Sequence, residues 1–101
     1  MFVVLWEFEV KPGCEDRFEQ VYGAGGDWAS LFRRDACYAG TRLFRDATRP
    51  RVYLTADYWQ SRTAYEAFLA RWGDDYRSLD AVSEELTASE RRIGWYDQVP
   101  S

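Results

Sequence analysis

Nine residues near the start, Phe2 to Val10 (FVVLWEFEV), constrain the fold more than any other stretch of this chain. Phe2, Val4, Trp6, Phe8 and Val10 alternate with Val3, Leu5, Glu7 and Glu9. Period-two alternation of this kind marks a strand with one face in a core and the other facing something less apolar. Lys11-Pro12-Gly13 then breaks the strand. A helix is predicted from about Cys14 to Tyr22, with Phe18, Val21 and Tyr22 on one face.

The next stretch, Tyr22-Gly-Ala-Gly-Gly-Asp-Trp28, has the look of a phosphate cradle. A dinucleotide fingerprint must follow a strand, and a P-loop needs Gly-Lys-Ser/Thr. This loop follows a helix, and Asp27 would repel a phosphate. A corner is expected instead: Gly23 in the left-handed conformation ends one helix. Asp27 then caps a short one whose apolar stripe is Trp28, Leu31 and Phe32.

Strands are predicted at Tyr38–Arg45 and Val52–Trp59, close enough to form a hairpin across the polar turn Asp46–Arg51. Ser61 caps a helix with Tyr65, Phe68, Leu69 and Trp72 at i, i+3, i+4 and i+7. Gly73 interrupts it, and a further helical stretch presents Tyr76, Leu79, Val82 and Leu86. Thr87–Glu90 (TASE) has capping-box spacing, predicting one more helical turn before a last strand, Arg92 to Val99. The order β-α-β-β-α-β over residues 1–101 predicts a single α+β domain, a ferredoxin-like sandwich. Its four-stranded antiparallel sheet carries helices on one face.

Patterning assigns Val4, Trp6, Phe8, Leu43, Val52, Leu54, Ala56, Ile93 and Trp95 to the helix side of that sheet. The other side mixes Leu5, Phe44, Tyr53, Trp59 and Tyr96 with Glu7, Arg42, Thr55, Asp57 and Arg92. This is too aromatic for open solvent and too charged for a second helix layer. A homodimer with the two sheets face to face explains both halves of the mixture. Glu7, Arg42, Asp57, Trp59 and Arg92 are therefore expected in the dimer or barrel interior. Glu7 and Asp57, partnered by Arg42 or Arg92, would form an ion-pair network fixing the register, or one of them would be a general acid or base.

Composition removes several function classes. The net charge is −4 and Lys11 is the only lysine, so nucleic-acid binding is not expected. No apolar run approaches membrane-spanning length and no signal peptide is evident, so a soluble cytoplasmic protein with no membrane partner is expected. Cys14 and Cys37 read as free thiols packed like small hydrophobes. The chain has no histidine, and the paired acids Asp74-Asp75 and Glu84-Glu85 point different ways on a helix, so no metal site is expected.

The segments WEFEVKPGCEDRFEQVYG, DWASLFRR, YAGTRLFRD, YLTADYWQS and AYEAF together resemble the antibiotic-biosynthesis-monooxygenase-like family of dimeric α+β barrels. The resemblance covers essentially the whole chain. It implies a pocket in each subunit between helices and sheet, and cofactor-independent oxygenation of a small aromatic or quinol-type substrate. Haem degradation in this family implies an Asn, a Trp and a His, and this chain has neither His nor Asn. Such a pocket would draw on Trp6, Tyr22, Trp28, Phe68 and Trp72 for the substrate ring and on Tyr76 and Tyr65 as catalytic hydroxyls, with no cofactor. All of these aromatics also sit where a core would need them. The other function considered is a non-catalytic dimer that binds a small hydrophobic molecule or acts in stress.

Overall fold

The computed structural model describes residues 1–100. Strand β1 (Phe2–Val10) is followed by helices α1 (Glu15–Tyr22) and α2 (Asp27–Phe32). The hairpin β2 (Tyr38–Arg45) and β3 (Val52–Trp59) comes next, then helix α3 (Arg62–Ser83) and strand β4 (Thr87–Asp97). The sheet order is β2-β3-β1-β4, with every neighbouring pair antiparallel. This is the expected ferredoxin-like α+β sandwich, with β1 and β3 at its centre.

Register decides which side chains meet the helices. Phe2, Val4, Trp6 and Phe8 stand opposite Trp59, Asp57, Thr55 and Tyr53. The helix side of β3 therefore carries Tyr53, Thr55, Asp57 and Trp59, whereas patterning assigns it Val52, Leu54 and Ala56. The cause is size. Tyr53 and Trp59 are almost wholly enclosed in the core, and burying two large rings outweighs burying three aliphatic side chains. A period of two then carries Thr55 and Asp57 inward with them.

Arg92 also changes sides. The β1–β4 register slips between Leu5 and Trp6, so that Trp6 faces Arg92 while Leu5 faces Gly94. A bulge inverts the parity of every residue beyond it. The outer face keeps Leu5, Glu7, Arg42, Phe44 and Tyr96, joined by Leu54 and Tyr58. Glu7 does form ion pairs there, but with Arg49 (2.6 Å) and Arg91 (2.8 Å) rather than with Arg42 or Arg92. Those two guanidiniums hold its carboxyl below the usual range. Arg42 lies over the Tyr58 ring instead, 6.0 Å from its centroid.

Three local expectations are corrected. Gly23 is extended (φ −71°, ψ 173°) rather than left-handed, and Gly26, not Asp27, is the residue before α2. The corner requires glycine for closeness: a Cβ on Gly26 would lie 2.3 Å from the Gln20 carbonyl oxygen and 2.4 Å from that of Val21. The TASE segment opens β4 instead of a helix. Its residues Thr87, Ser89 and Glu90 pair with Val10, Glu9 and Phe8, and these ladder bonds outweigh the single turn that a capping box stabilises. Ser61 caps α3 as expected, accepting from the Ala64 amide at 3.1 Å. The break near Gly73 is a kink within one helix, with Trp72 at φ −112°, ψ 20°.

Candidate active site

Between the helices and the sheet lies a cavity of about 210 Å³. Its floor is the sheet, through Trp6, Phe8, Thr55 and Asp57, with Glu90 at the β4 end. The helices supply Tyr22, Trp28, Phe32, Tyr76 and Asp80. The aromatic wall is continuous. Trp6 stacks on Phe8 at 6.4 Å between centroids, Phe8 meets Tyr22 at 4.8 Å, Tyr22 meets Trp28 at 6.1 Å, and Trp28 meets Tyr76 edge-on at 4.9 Å. The Trp28 indole N–H donates to Ser83 Oγ at 3.2 Å, which ties α2 to the end of α3 and fixes that wall.

Asp57 is the chemically distinctive member. It sits mid-strand on β3, opposite Val4 on one side and Thr41 on the other. The Thr41 hydroxyl donates to Asp57 Oδ1 at 2.6 Å and is itself in contact with the Tyr38 hydroxyl at 2.5 Å. Since the Thr41 proton is committed to the carboxylate, Tyr38 is the donor in the second contact. A single neutral donor does not offset the loss of water around a carboxylate. Burial accordingly pushes the Asp57 carboxyl up to about 6, against the smaller opposing effect of the Thr41 bond. A carboxylate poised near neutrality, facing an aromatic cavity from a rigid strand, can take and return a proton.

The tyrosines cannot. Burial pushes Tyr65 up to about 12 and Tyr76 higher still, with neighbouring carboxylates adding to the rise at Tyr76. Both hydroxyls stay protonated, so Tyr76, which lines the cavity, is a hydrogen-bond donor there. Tyr22, also pushed up to about 12 by burial, has the same character.

At the mouth, Asp80 and Glu84 of the α3 end meet Glu90 of β4, one carboxylate oxygen from each lying within 4.8 Å of the others. Of the described residues, this is the one set of three with the spacing to hold a cation. Sequence adjacency, which singles out Asp74-Asp75 and Glu84-Glu85, does not reveal it, because it joins the end of a helix to the strand that follows.

A model of the antibiotic biosynthesis monooxygenase family matches residues 1–77. The chain belongs to that family. Among solved structures, the family fold recurs in SnoaB, a cofactor-independent oxygenase from Streptomyces nogalater, with a TM-score of 0.77 at 18% identity, covering 99% of this chain and 94% of that one. A candidate antibiotic biosynthesis monooxygenase from Caulobacter crescentus gives a TM-score of 0.76 at 22% identity, covering 98% and 90%. One from Deinococcus radiodurans gives 0.76 at 14%, covering 100% and 95%. No curated protein matches the chain. No described helix is long and apolar enough to cross a membrane.

Within this family fold, four of the aromatics singled out in the sequence (Trp6, Tyr22, Trp28 and Tyr76) line the cavity. Phe68 lies behind it, fully buried against Trp59 and Phe32 at 5.1 and 5.4 Å. Tyr65 packs on Trp59, Phe2 and Trp95 in the same core. Trp72 is half-buried at the kink, packed against the core and beside Arg34 and Arg71, and does not line the cavity. Asp57, Trp59 and Arg92 move from the expected dimer interior to the helix side. There Asp57 joins the cavity, Trp59 fills the core, and Arg92 lies over Trp95 at 4.9 Å. Phe8, Phe32, Thr55, Asp57, Asp80 and Glu90 are the lining residues that sequence reasoning did not assign to the pocket. The alternation of β1 signals Phe8, and the α2 stripe signals Phe32. No local pattern signals the acids.

Proposed function

We propose that this protein is a cofactor-independent monooxygenase acting on a small, electron-rich phenol or quinol, with Asp57 as the base. The observation that carries the proposal is the placement of the Asp57 carboxylate, shifted to about 6, in the aromatic cavity. Family membership supports the reaction class. An apolar cavity of about 150 Å³ suffices for benzene, so about 210 Å³ takes one substituted ring.

The residues act in sequence. Trp6, Trp28 and Tyr76 hold the ring and keep water away from it. Asp57 accepts the phenolic proton, and the electron-rich anion reacts with dioxygen to form a carbon–oxygen bond at an ortho or para carbon that bears a hydrogen. The peroxide anion takes the proton back from Asp57. Loss of water then leaves the corresponding ortho- or para-quinone, with one oxygen atom kept as the new carbonyl and the other released as water. The four electrons lost by the ring are the four gained by dioxygen. Raising the base from 3.8 to about 6 brings it about 3 kcal/mol closer to a phenol's proton affinity. Two such subunits, joined through the outer sheet face that carries Leu5, Phe44 and Tyr96, form the homodimer in this proposal.

Oxygen uptake across a panel of one-ring phenols and hydroquinones tests it. Asp57→Asn is expected to lower kcat at least a hundredfold, in line with the removal of a general base, with KM within a few-fold. Binding without uptake on every substrate would leave a ligand-binding protein instead. Uptake unchanged by both Asp57→Asn and Tyr76→Phe would remove the cavity from the reaction.

A further inference from the structure

The charge around the cavity is one-sided. Its lining includes three carboxylates, Asp57, Asp80 and Glu90, and no arginine or lysine. The nearest basic side chain on that side of β4, Arg92, is stacked on Trp95 and does not line the cavity. The acids also differ in depth. Asp57 is on the floor, engaged by Thr41, whereas Asp80 and Glu90 stand at the rim beside Glu84. Burial raises both Asp80 and Glu90 above their ordinary values, with repulsion from Glu84 adding to the rise at Asp80 and from Asp80 and Glu84 at Glu90. All three rim acids lie beyond the segment that the family model matches, which ends at residue 77.

We propose that the cavity selects aromatic substrates bearing a protonated amine, with the ring on the Asp57 floor and the ammonium group at the Asp80–Glu90 rim. This rests on the oxygenase reading for the reaction but not for the binding. Two independent features favour a cation. Tyr22 and Trp28 line the cavity together with Asp80 and Glu90, and aromatic rings attract ammonium groups through their quadrupoles. The rim carboxylates repel one another, and a cation between them relieves that repulsion. An anionic substituent meets only like charge, and a neutral one leaves the rim uncompensated. The hydroxyl of the same ring reaches the floor, where Asp57 waits for its proton. One ring with a short aminoalkyl arm matches the cavity volume of about 210 Å³.

Three phenols of similar size and different charge test this: tyramine, 4-ethylphenol and 3-(4-hydroxyphenyl)propionate, titrated calorimetrically against the full chain at pH 7.5. Tyramine is expected to bind about tenfold tighter than 4-ethylphenol, a difference of about 1.4 kcal/mol, and the propionate weaker than either. In Asp80→Asn/Glu90→Gln, the tyramine advantage should fall to within twofold while 4-ethylphenol is held as before. Propionate binding as well as tyramine, or a preference that survives in the double variant, overturns the inference and leaves the oxygenase reading standing. Failure of all three to bind also overturns the inference. Oxygen uptake on neutral phenols, measured separately, reports on the reaction alone.

Discussion

Replacing Asp57 with Asn should make the protein more stable and less active, and the stability gain should depend on pH. The carboxyl titrates at about 6 in the folded state against 3.8 in the free chain. A group whose pKa rises on folding contributes stability below its unfolded value and loses it as pH climbs through the folded value. In the native protein, that loss therefore accumulates from about pH 4 to about pH 6 and is complete above it. A rise of that size corresponds to about 3 kcal/mol. Asn keeps the shape and still accepts the Thr41 hydroxyl through Oδ1, but it has no charge to desolvate. The variant should thus exceed the native protein by about 0.5 kcal/mol at pH 4 and about 3 kcal/mol at pH 8. For a domain of this size each kcal/mol moves Tm by about 4–8 °C, so the gap at pH 8 is roughly 10 °C or more. Thermal melts of both proteins across pH 4 to 8 measure it. A gap that stays constant across that range, or a variant less stable at pH 8, would refute the idea that a desolvated carboxylate faces the cavity. Stability lost to hold a reactive group is the usual trade at an active site.

Two further outcomes test the frame around the site. Gly26→Ala should destabilise by at least about 2 kcal/mol, because its Cβ meets two backbone carbonyls that cannot yield without moving α1 from α2; a melt unchanged from native would show that the corner has slack. Light scattering should give about twice the 11.9 kDa chain mass. Phe44→Arg, at an exposed outer-face position, should weaken that association at least tenfold while leaving the monomer's Tm nearly unchanged. A native protein that runs as a monomer refutes the face-to-face pairing.

The strands are legible in the sequence because alternation in β1 and the hairpin turn after β2 are local signals, and the same holds for the Ser61 cap and the aromatic spacing of α3. Facing is legible only where it is unambiguous. In β3 both parities carry apolar residues, so the choice between Val52-Leu54-Ala56 and Tyr53-Thr55-Asp57-Trp59 depends on the total volume that the helices demand. In β4 a bulge resets the parity, and no residue near Arg92 announces it. The first inversion explains why patterning puts Asp57 at a subunit interface rather than in the cavity, and the second does the same for Arg92. The rim acids are illegible for a simpler reason: Asp80 and Glu90 are ten positions apart, on a helix and a strand of different periods, and meet only once the chain turns from α3 into β4.

The cavity divides its labour between layers. Asp57 and its hydroxyl chain to Thr41 and Tyr38 belong to the hydrogen-bonded hairpin, while Tyr22, Trp28, Tyr76 and Asp80 belong to helices that touch that hairpin only through side chains. A substitution on a helix can reshape what the cavity admits without disturbing the proton acceptor. This makes the scaffold suited to acquiring new substrates by single steps: size and charge preference are adjustable on one layer, and the chemistry is inherited unchanged on the other.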